Sequence, residues 1–172
     1  MDEIKKKVDE DWKQKVEKEK QAPKEEGKFT PPDPDFKFHL VEDQAQLEVW
    51  AQTAFAGFEL KPEVRKKFFE SVNNFDIVHS HQLFLYLGSM GDLPVSTSLL
   101  FLGEGVAGIY WVSTIPEARN KGLGSAVTYK TVMEAKRIGY PVAVLEASEM
   151  GFKVYRGLGF KEYFRFGLYG LQ

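Results

Sequence analysis

The sequence predicts an α/β (α+β) fold built on a mixed sheet, and two patterns carry that prediction. Three β-rich segments between residues 83 and 112 are separated by short glycine turns, the spacing of an antiparallel meander. The last of them runs through a basic turn into a long helical pattern and then into an unbroken apolar run. That order predicts a right-handed parallel crossover, with helices covering both faces of the sheet. The 172 residues, 43% hydrophobic and 14% aromatic, suffice for one packed domain and are too few for two.

Each element follows from its local chemistry. Residues 1–28 carry nine lysines against nine acidic residues and few apolar side chains. Ile4, Val8, Trp12 and Val16 form only a narrow drifting stripe, so this stretch is either a solvated tail or a marginal helix that docks a protein partner through Trp12. Thr30-Pro31-Pro32-Asp33-Pro34 is a stiff linker, which sets an extension over residues 1–34 and a domain over 35–172. Phe36–Val41 reads as a strand, and Asp43 as the N-cap of a helix carrying Leu47, Trp50, Ala51 and Ala54. Pro62 opens a second helix that runs to about Val72. Strands come next at Leu83–Leu87, Val95–Leu102 and Val106–Val112, with turns at Gly91-Asp92 and Gly103-Glu104-Gly105. Leu123, Val127, Thr131, Ala135 and Ile138 recur at helical spacing, and Gly139 with Pro141 ends that helix. Val142–Leu145 reads as a strand covered on both faces, Glu149–Arg156 as a short helix and Lys161–Phe166 as a final aromatic strand. That last strand suits either the core or an edge paired in a homodimer.

Composition excludes several classes. A net charge of −2 argues against nucleic acid as a partner. The absence of cysteine removes disulfides, thiolate metal sites and cysteine nucleophiles. No apolar run approaches a membrane span, and the charged N-terminus is no secretory signal, so the expected location is cytoplasmic. His79 and His81 stand at strand spacing without a third ligand nearby, and no metal is expected.

The most informative stretch is Arg119-Asn120-Lys121-Gly122-Leu123-Gly124. It joins a strand to a helix N-terminus, where unpaired backbone N–H groups, the helix dipole and nearby cations favour an anion, above all a phosphate. Glycine there lets an anion approach the amides closely. The expected ligand position is where strand ends diverge, around residues 112–125 and 145–148.

These residues resemble the GNAT acyltransferase family. Its [Gln/Arg]-x-x-Gly-x-[Gly/Ala] turn stands here as Arg119–Gly124, and its later Tyr-x-x-x-Gly-Phe pattern as Tyr155-Arg156-Gly157-Leu158-Gly159-Phe160. The two lie in the right order around a helix and a strand, and the resemblance spans about residues 36–166. It implies a GNAT-type mixed sheet, with an antiparallel N-terminal meander and a parallel crossover between its fourth and fifth strands. It also implies acetyl-CoA as co-substrate and transfer of acetyl to an amine. By the resemblance, the backbone of Val112 and Thr114 pairs with pantetheine. The pyrophosphate sits on the amides of Lys121, Gly122, Gly124 and Ser125, within a turn that includes Arg119, Asn120 and Leu123. Tyr155 protonates the departing thiolate. Ser148 stands where many relatives carry a cofactor-holding asparagine.

Read from the residues alone, Tyr155 fits a packing aromatic or an acid, and Arg119 and Lys121 fit solvated charges or phosphate ligands. Glu146, an acid at the end of an apolar run, is the candidate general base, its other reading being an ion-paired edge residue. The acceptor, an amine of a small molecule or peptide, is expected against residues 43–76, whose loop Phe55–Leu60 is apolar with one acid. Direct transfer in a ternary complex is the expected route, since cysteine is absent as an acyl carrier. A non-catalytic acyl-CoA sensor that uses the N-terminal segment to engage a partner is the rival reading.

Overall fold

A computed structural model describes residues 34–72 and 77–167. Residues 1–33 of the N-terminal extension and their expected docking role therefore lie outside the described residues, as do residues 73–76 of the expected acceptor region. The elements run β1 (Phe36–Leu40), α1 (Gln44–Gly57), α2 (Pro62–Val72), β2 (Leu83–Met90), β3 (Leu93–Gly103), β4 (Val106–Thr114), a 3-10 turn (Pro116–Ala118), α3 (Leu123–Ile138), β5 (Val142–Leu145) and α4 (Glu149–Gly157). They build one five-stranded sheet in the order β1-β2-β3-β4-β5, antiparallel from β1 to β4 and parallel between β4 and β5.

Local chemistry fixes the joints. Asp43 caps α1 by accepting from the Gln46 N–H at 2.8 Å, which satisfies one of the helix's orphan donors. Glu104 and Gly105, with φ of 49° and 76°, both take the left-handed backbone of a tight hairpin between β3 and β4. Gly139, at φ 108°, closes α3.

The sheet is covered on each face by a different helix. On one face α1 buries Leu47, Trp50, Ala51, Ala54 and Phe55 against Leu85, Leu87 and Leu99. On the other, Ala135 of α3 packs with Tyr86, Leu100, Leu102, Ala107 and Ile109. The core is not wholly apolar. Trp50 Nε1 donates to Tyr86 O and Ser98 O at 3.1 and 3.2 Å. Thr131 Oγ1 donates to Val127 O at 2.8 Å and also meets Ser98 Oγ at 2.6 Å. Thr131 has one proton, so Ser98 is the donor in that second contact.

Two expectations need correction. Lys161–Phe166 forms no strand; the segment lies outside the sheet, with Phe164 76% exposed. Consequently β5 is an edge strand, and its Val142 and Val144 are half exposed rather than covered on both faces. An unbroken apolar run does not distinguish a doubly covered strand from an edge strand with one open face.

Candidate active site

The site begins at an irregularity in β4. Leu99 pairs with Tyr110 and Thr97 with Ser113, so Ser98 on β3 stands opposite both Trp111 and Val112 on β4. This is a β-bulge, and Trp111 takes its left-handed corner at φ 51°. The extra residue inverts the facing of the rest of the strand, because side chains alternate along it. Tyr110 and Trp111 fall on the α1 side, where Trp111 meets Trp50, Phe55, Phe58 and Phe68 at centroid distances of 5.4–6.4 Å. Val112 packs with the α3-side cluster instead, and Thr114 Oγ1 lies 3.4 Å from where a Cβ on Gly124 would stand.

The same region is where β4 leaves β5. Parallel pairing runs only from Val106↔Val142 to Ile109↔Leu145. Beyond it Tyr110–Thr114 continues along β3 with no partner from β5, whose chain turns away through Glu146, Ala147 and Ser148 into α4. Two strand ends thus splay apart at the C-terminal end of a crossover, where sheets of this topology bind ligands.

The basic turn closes one side of that opening. Asn120 and Gly122 both take positive φ, 62° and 74°, and Gly122 precedes α3 without any side-chain cap. The first bond into the helix is Ala126 N–H donating to Gly122 O at 2.9 Å. The N–H groups of Leu123, Gly124 and Ser125 therefore have no partner within the helix, and the dipole adds partial positive charge there. A Cβ on Gly122 would meet nothing within 4 Å, so its backbone conformation is what calls for glycine. Gly124 has ordinary room for a Cβ, with Thr114 Oγ1 at 3.4 Å as the nearest atom. Nothing in the protein itself requires glycine at 124; close approach by a ligand would. Lys121 is exposed beside the turn.

Arg119, expected beside a phosphate, is bonded within the protein. Its Nη2 donates to Gly57 O at 2.8 Å and lies 3.5 Å from Glu59 Oε2, and its Nε donates to Thr114 O at 3.3 Å. The guanidinium fastens the C-terminus of α1 to the end of β4. Gly57 is part of that joint: a Cβ there would stand 2.5 Å from Ser113 Oγ.

Across the opening, Ser148 caps α4 by accepting from Gly151 N–H at 3.2 Å, which leaves its own proton to donate. Tyr155 is half-buried, its ring edge-on to Phe160 at 6.1 Å. A Cβ on Gly151 would press the Tyr155 ring at 2.7 Å, so that glycine makes the seat of the phenol. Burial raises the Tyr155 pKa above its ordinary 10.0, because desolvation disfavours phenolate. Glu146 is exposed in the loop just after β5 rather than within the strand. His79 and His81 lie in the loop before β2, and the described residues contain no acidic and imidazole cluster able to hold a metal. An open depression of about 460 Å³ borders His39, Asp43 and Asp92 near β1, at the opposite edge of the sheet from this opening. No helix among the described residues is long and apolar enough to cross a membrane.

Comparison with known proteins agrees with this geometry. Residues 98–163 match the family model of the acetyltransferase (GNAT) domain. Among solved structures, the chain is similar to a predicted acetyltransferase from Clostridium acetobutylicum with acetyl-CoA, at 16% identity and a TM-score of 0.63, covering 78% of this chain and 96% of that one. It is similar to a GCN5-related N-acetyltransferase from Ralstonia eutropha, at 17% identity and a TM-score of 0.64, over 77% and 97% of the two chains. It is also similar to an aminoglycoside acetyltransferase from an uncultured soil metagenomic sample in complex with sisomicin, at 13% identity and a TM-score of 0.61, over 80% and 97%. No curated protein sequence matches the chain. At these identities the structural likeness establishes a shared fold.

Proposed function

We infer, from a chain whose residues 98–163 match the acetyltransferase (GNAT) domain model, that it moves an acetyl group from acetyl-CoA to an amine of a small molecule or peptide, directly, with both substrates bound. The observation that carries this reading is the coincidence of three features at one opening. They are the uncapped first turn of α3, the stretch of β4 beyond Ile109 that pairs with β3 and not with β5, and a protonated phenol on the helix after β5.

The residues present fit the co-substrate. The amides of Lys121 to Ser125 would hold its pyrophosphate, with Gly124 leaving room for close approach and Lys121 adding charge. The backbone of Val112 and Thr114, free of β5, would take a strand-like pantetheine, and the Ser148 hydroxyl keeps a proton to donate. Bound acetyl-CoA supplies the activated acetyl thioester. Tyr155 Oη then holds the proton that a departing thiolate needs, and its raised pKa keeps that proton in place at neutral and mildly alkaline pH. Glu146, exposed beside the end of β5, is the proposed acceptor of the amine's proton and passes it to water. The exposed Phe58, edge-on to Trp111 at 5.5 Å, gives the acceptor side an aromatic wall, with Glu59 beside it. An amine on an apolar body suits that wall.

Thiol release from acetyl-CoA across a panel of aminoglycosides, polyamines, amino acids and peptides tests the reading. Turnover with at least one amine is expected. CoA binding with no thiol release on any acceptor would leave a binding module in place of an enzyme.

A further inference from the structure

The bulge that opens β4 is held by a buried hydroxyl relay. Thr97 is fully buried on β3. Its Oγ1 donates to Trp111 O at 2.9 Å and lies 2.8 Å from Ser113 Oγ. A carbonyl can only accept, so the single proton of Thr97 is committed to Trp111 and Ser113 donates to Thr97. Trp111 is the extra residue of the bulge, a bulky side chain in left-handed backbone. That conformation is disfavoured in isolation and persists only where its surroundings over-determine it. Trp111 shares Ser98 with Val112 as its opposite residue, and the Thr97 hydroxyl supplies a donor to its carbonyl. Ser113, two residues on, is packed against Gly57 of α1 and is itself buried.

We propose that Thr97 is a positioning residue for the pantetheine-binding stretch of β4, setting the bulge that aims the Val112–Thr114 backbone into the opening. This rests on the acetyl-CoA reading of that opening. The hydrogen bonds of the relay run to Trp111 and between Thr97 and Ser113, and reach the basic turn only indirectly, through Thr114 O and Arg119, so the larger effect falls on the pantetheine arm of the ligand. Removing the Thr97 hydroxyl leaves Trp111 O without its donor and Ser113 Oγ without its acceptor, in a place closed to water. The bulge is then free to relax toward regular pairing, which returns Val112 and Thr114 to the opposite facing.

The test uses the full chain and two ligands: CoA, and 3′-phospho-ADP, which is CoA without its pantetheine arm. Thr97→Val, which keeps the shape and removes the hydroxyl, is expected to weaken CoA on the order of tenfold. It should leave 3′-phospho-ADP within about twofold, and raise the KM for acetyl-CoA more than it lowers kcat. Thr97→Ser restores the hydroxyl and should restore CoA affinity. A Thr97→Val protein that binds CoA like wild type, or loses both ligands equally, overturns the inference. Should Thr97→Val fail to fold, Ser113→Ala carries the test. It removes the hydrogen bond that Ser113 donates to Thr97 Oγ1 and so loosens the hydroxyl that holds Trp111 O, and about a threefold loss of CoA affinity is expected; unchanged CoA affinity overturns the inference. Wild-type protein that binds neither ligand overturns the acetyl-CoA reading itself and the inference with it.

Discussion

Substituting Gly124 by alanine and by leucine tests the anion cradle without disturbing the fold that builds it. Gly124 is the second residue of α3, in helical backbone, and a Cβ there would meet only Thr114 Oγ1 at 3.4 Å. Alanine gains helix propensity over glycine by about 0.8–1.0 kcal/mol in a helix interior, and roughly half of that in a first turn. Both variants should therefore be slightly more stable than wild type, raising Tm by about 1–2 °C for a domain of this size. Binding should divide them. The [Gln/Arg]-x-x-Gly-x-[Gly/Ala] pattern that this turn resembles admits alanine here, and a methyl group should change CoA affinity by no more than about threefold. A helical leucine side chain points back toward the helix N-terminus, over the turn itself. Displacing the pyrophosphate from one or two amides removes charge-assisted hydrogen bonds of about 1.5–3 kcal/mol each. At about 1.4 kcal/mol per decade, Gly124→Leu should bind CoA at least tenfold more weakly. Calorimetric titration with CoA beside thermal unfolding reads both quantities on one sample. A leucine variant that binds CoA like wild type would remove the pyrophosphate from this turn. One that unfolds would show that Gly124 serves packing after all.

Other perturbations address the remaining parts. Tyr155→Phe should lower kcat by about 10²-fold or more with the KM for acetyl-CoA little changed, and Gly151→Ala, which crowds the Tyr155 ring, should lower kcat in the same sense; steady-state kinetics with an accepted amine decides both. Arg119→Ala should cost about 1–2 kcal/mol in urea unfolding by leaving Gly57 O unpaired, whereas Glu59→Gln should cost under about 0.5 kcal/mol because that carboxylate is largely exposed. Tyr86, buried beside Glu134, has its pKa pushed up to about 12, with burial the main cause. The folded state keeps a proton that the unfolded chain loses above pH 10, so stability is full below pH 10 and falls by about 2 kcal/mol as pH rises toward 12. Tyr86→Phe should flatten that alkaline loss, and a wild-type unfolding curve with no slope in that window would contradict the burial of the phenol.

Local features were the ones legible in the sequence. Asp43 as a cap, the turns at Gly91 and Gly105, Pro62 at a helix start and Gly139 at a helix end each follow from backbone chemistry within a few residues. The basic turn was legible for the same reason, since its glycines and the adjoining helix are contiguous. Features that depend on distant partners were not. Trp111 sits in a β-rich run that promises regular pairing, and only its opposition to Ser98 makes it a bulge. Nothing near Arg119 in the chain shows that Gly57, far away, accepts from its guanidinium. The aromatic segment after Phe160 has strand composition, yet pairing requires a neighbour, and β5 stands at the sheet edge without one among the described residues. Glu146 falls in the loop after β5 because the strand ends with its pairing to Ile109.

The paired hydroxyls of Ser98 and Thr131 bear on how far α3 can travel. A helix seated on a sheet through aliphatic groups alone can slide along its axis while exchanging one apolar contact for another. Here both hydroxyls are fully buried, and an axial shift of a single residue, about 1.5 Å, would break their contact and strand the Ser98 hydroxyl, while Thr131 kept only its bond to Val127 O. The helix therefore has one seat. Its first-turn amides stand at a fixed height above the end of β4, and the span between the proposed phosphate cradle and the proposed strand-like binding edge becomes a built-in ruler. A ligand whose anionic end and amide-bearing arm are separated by another length would engage one end of that ruler and miss the other.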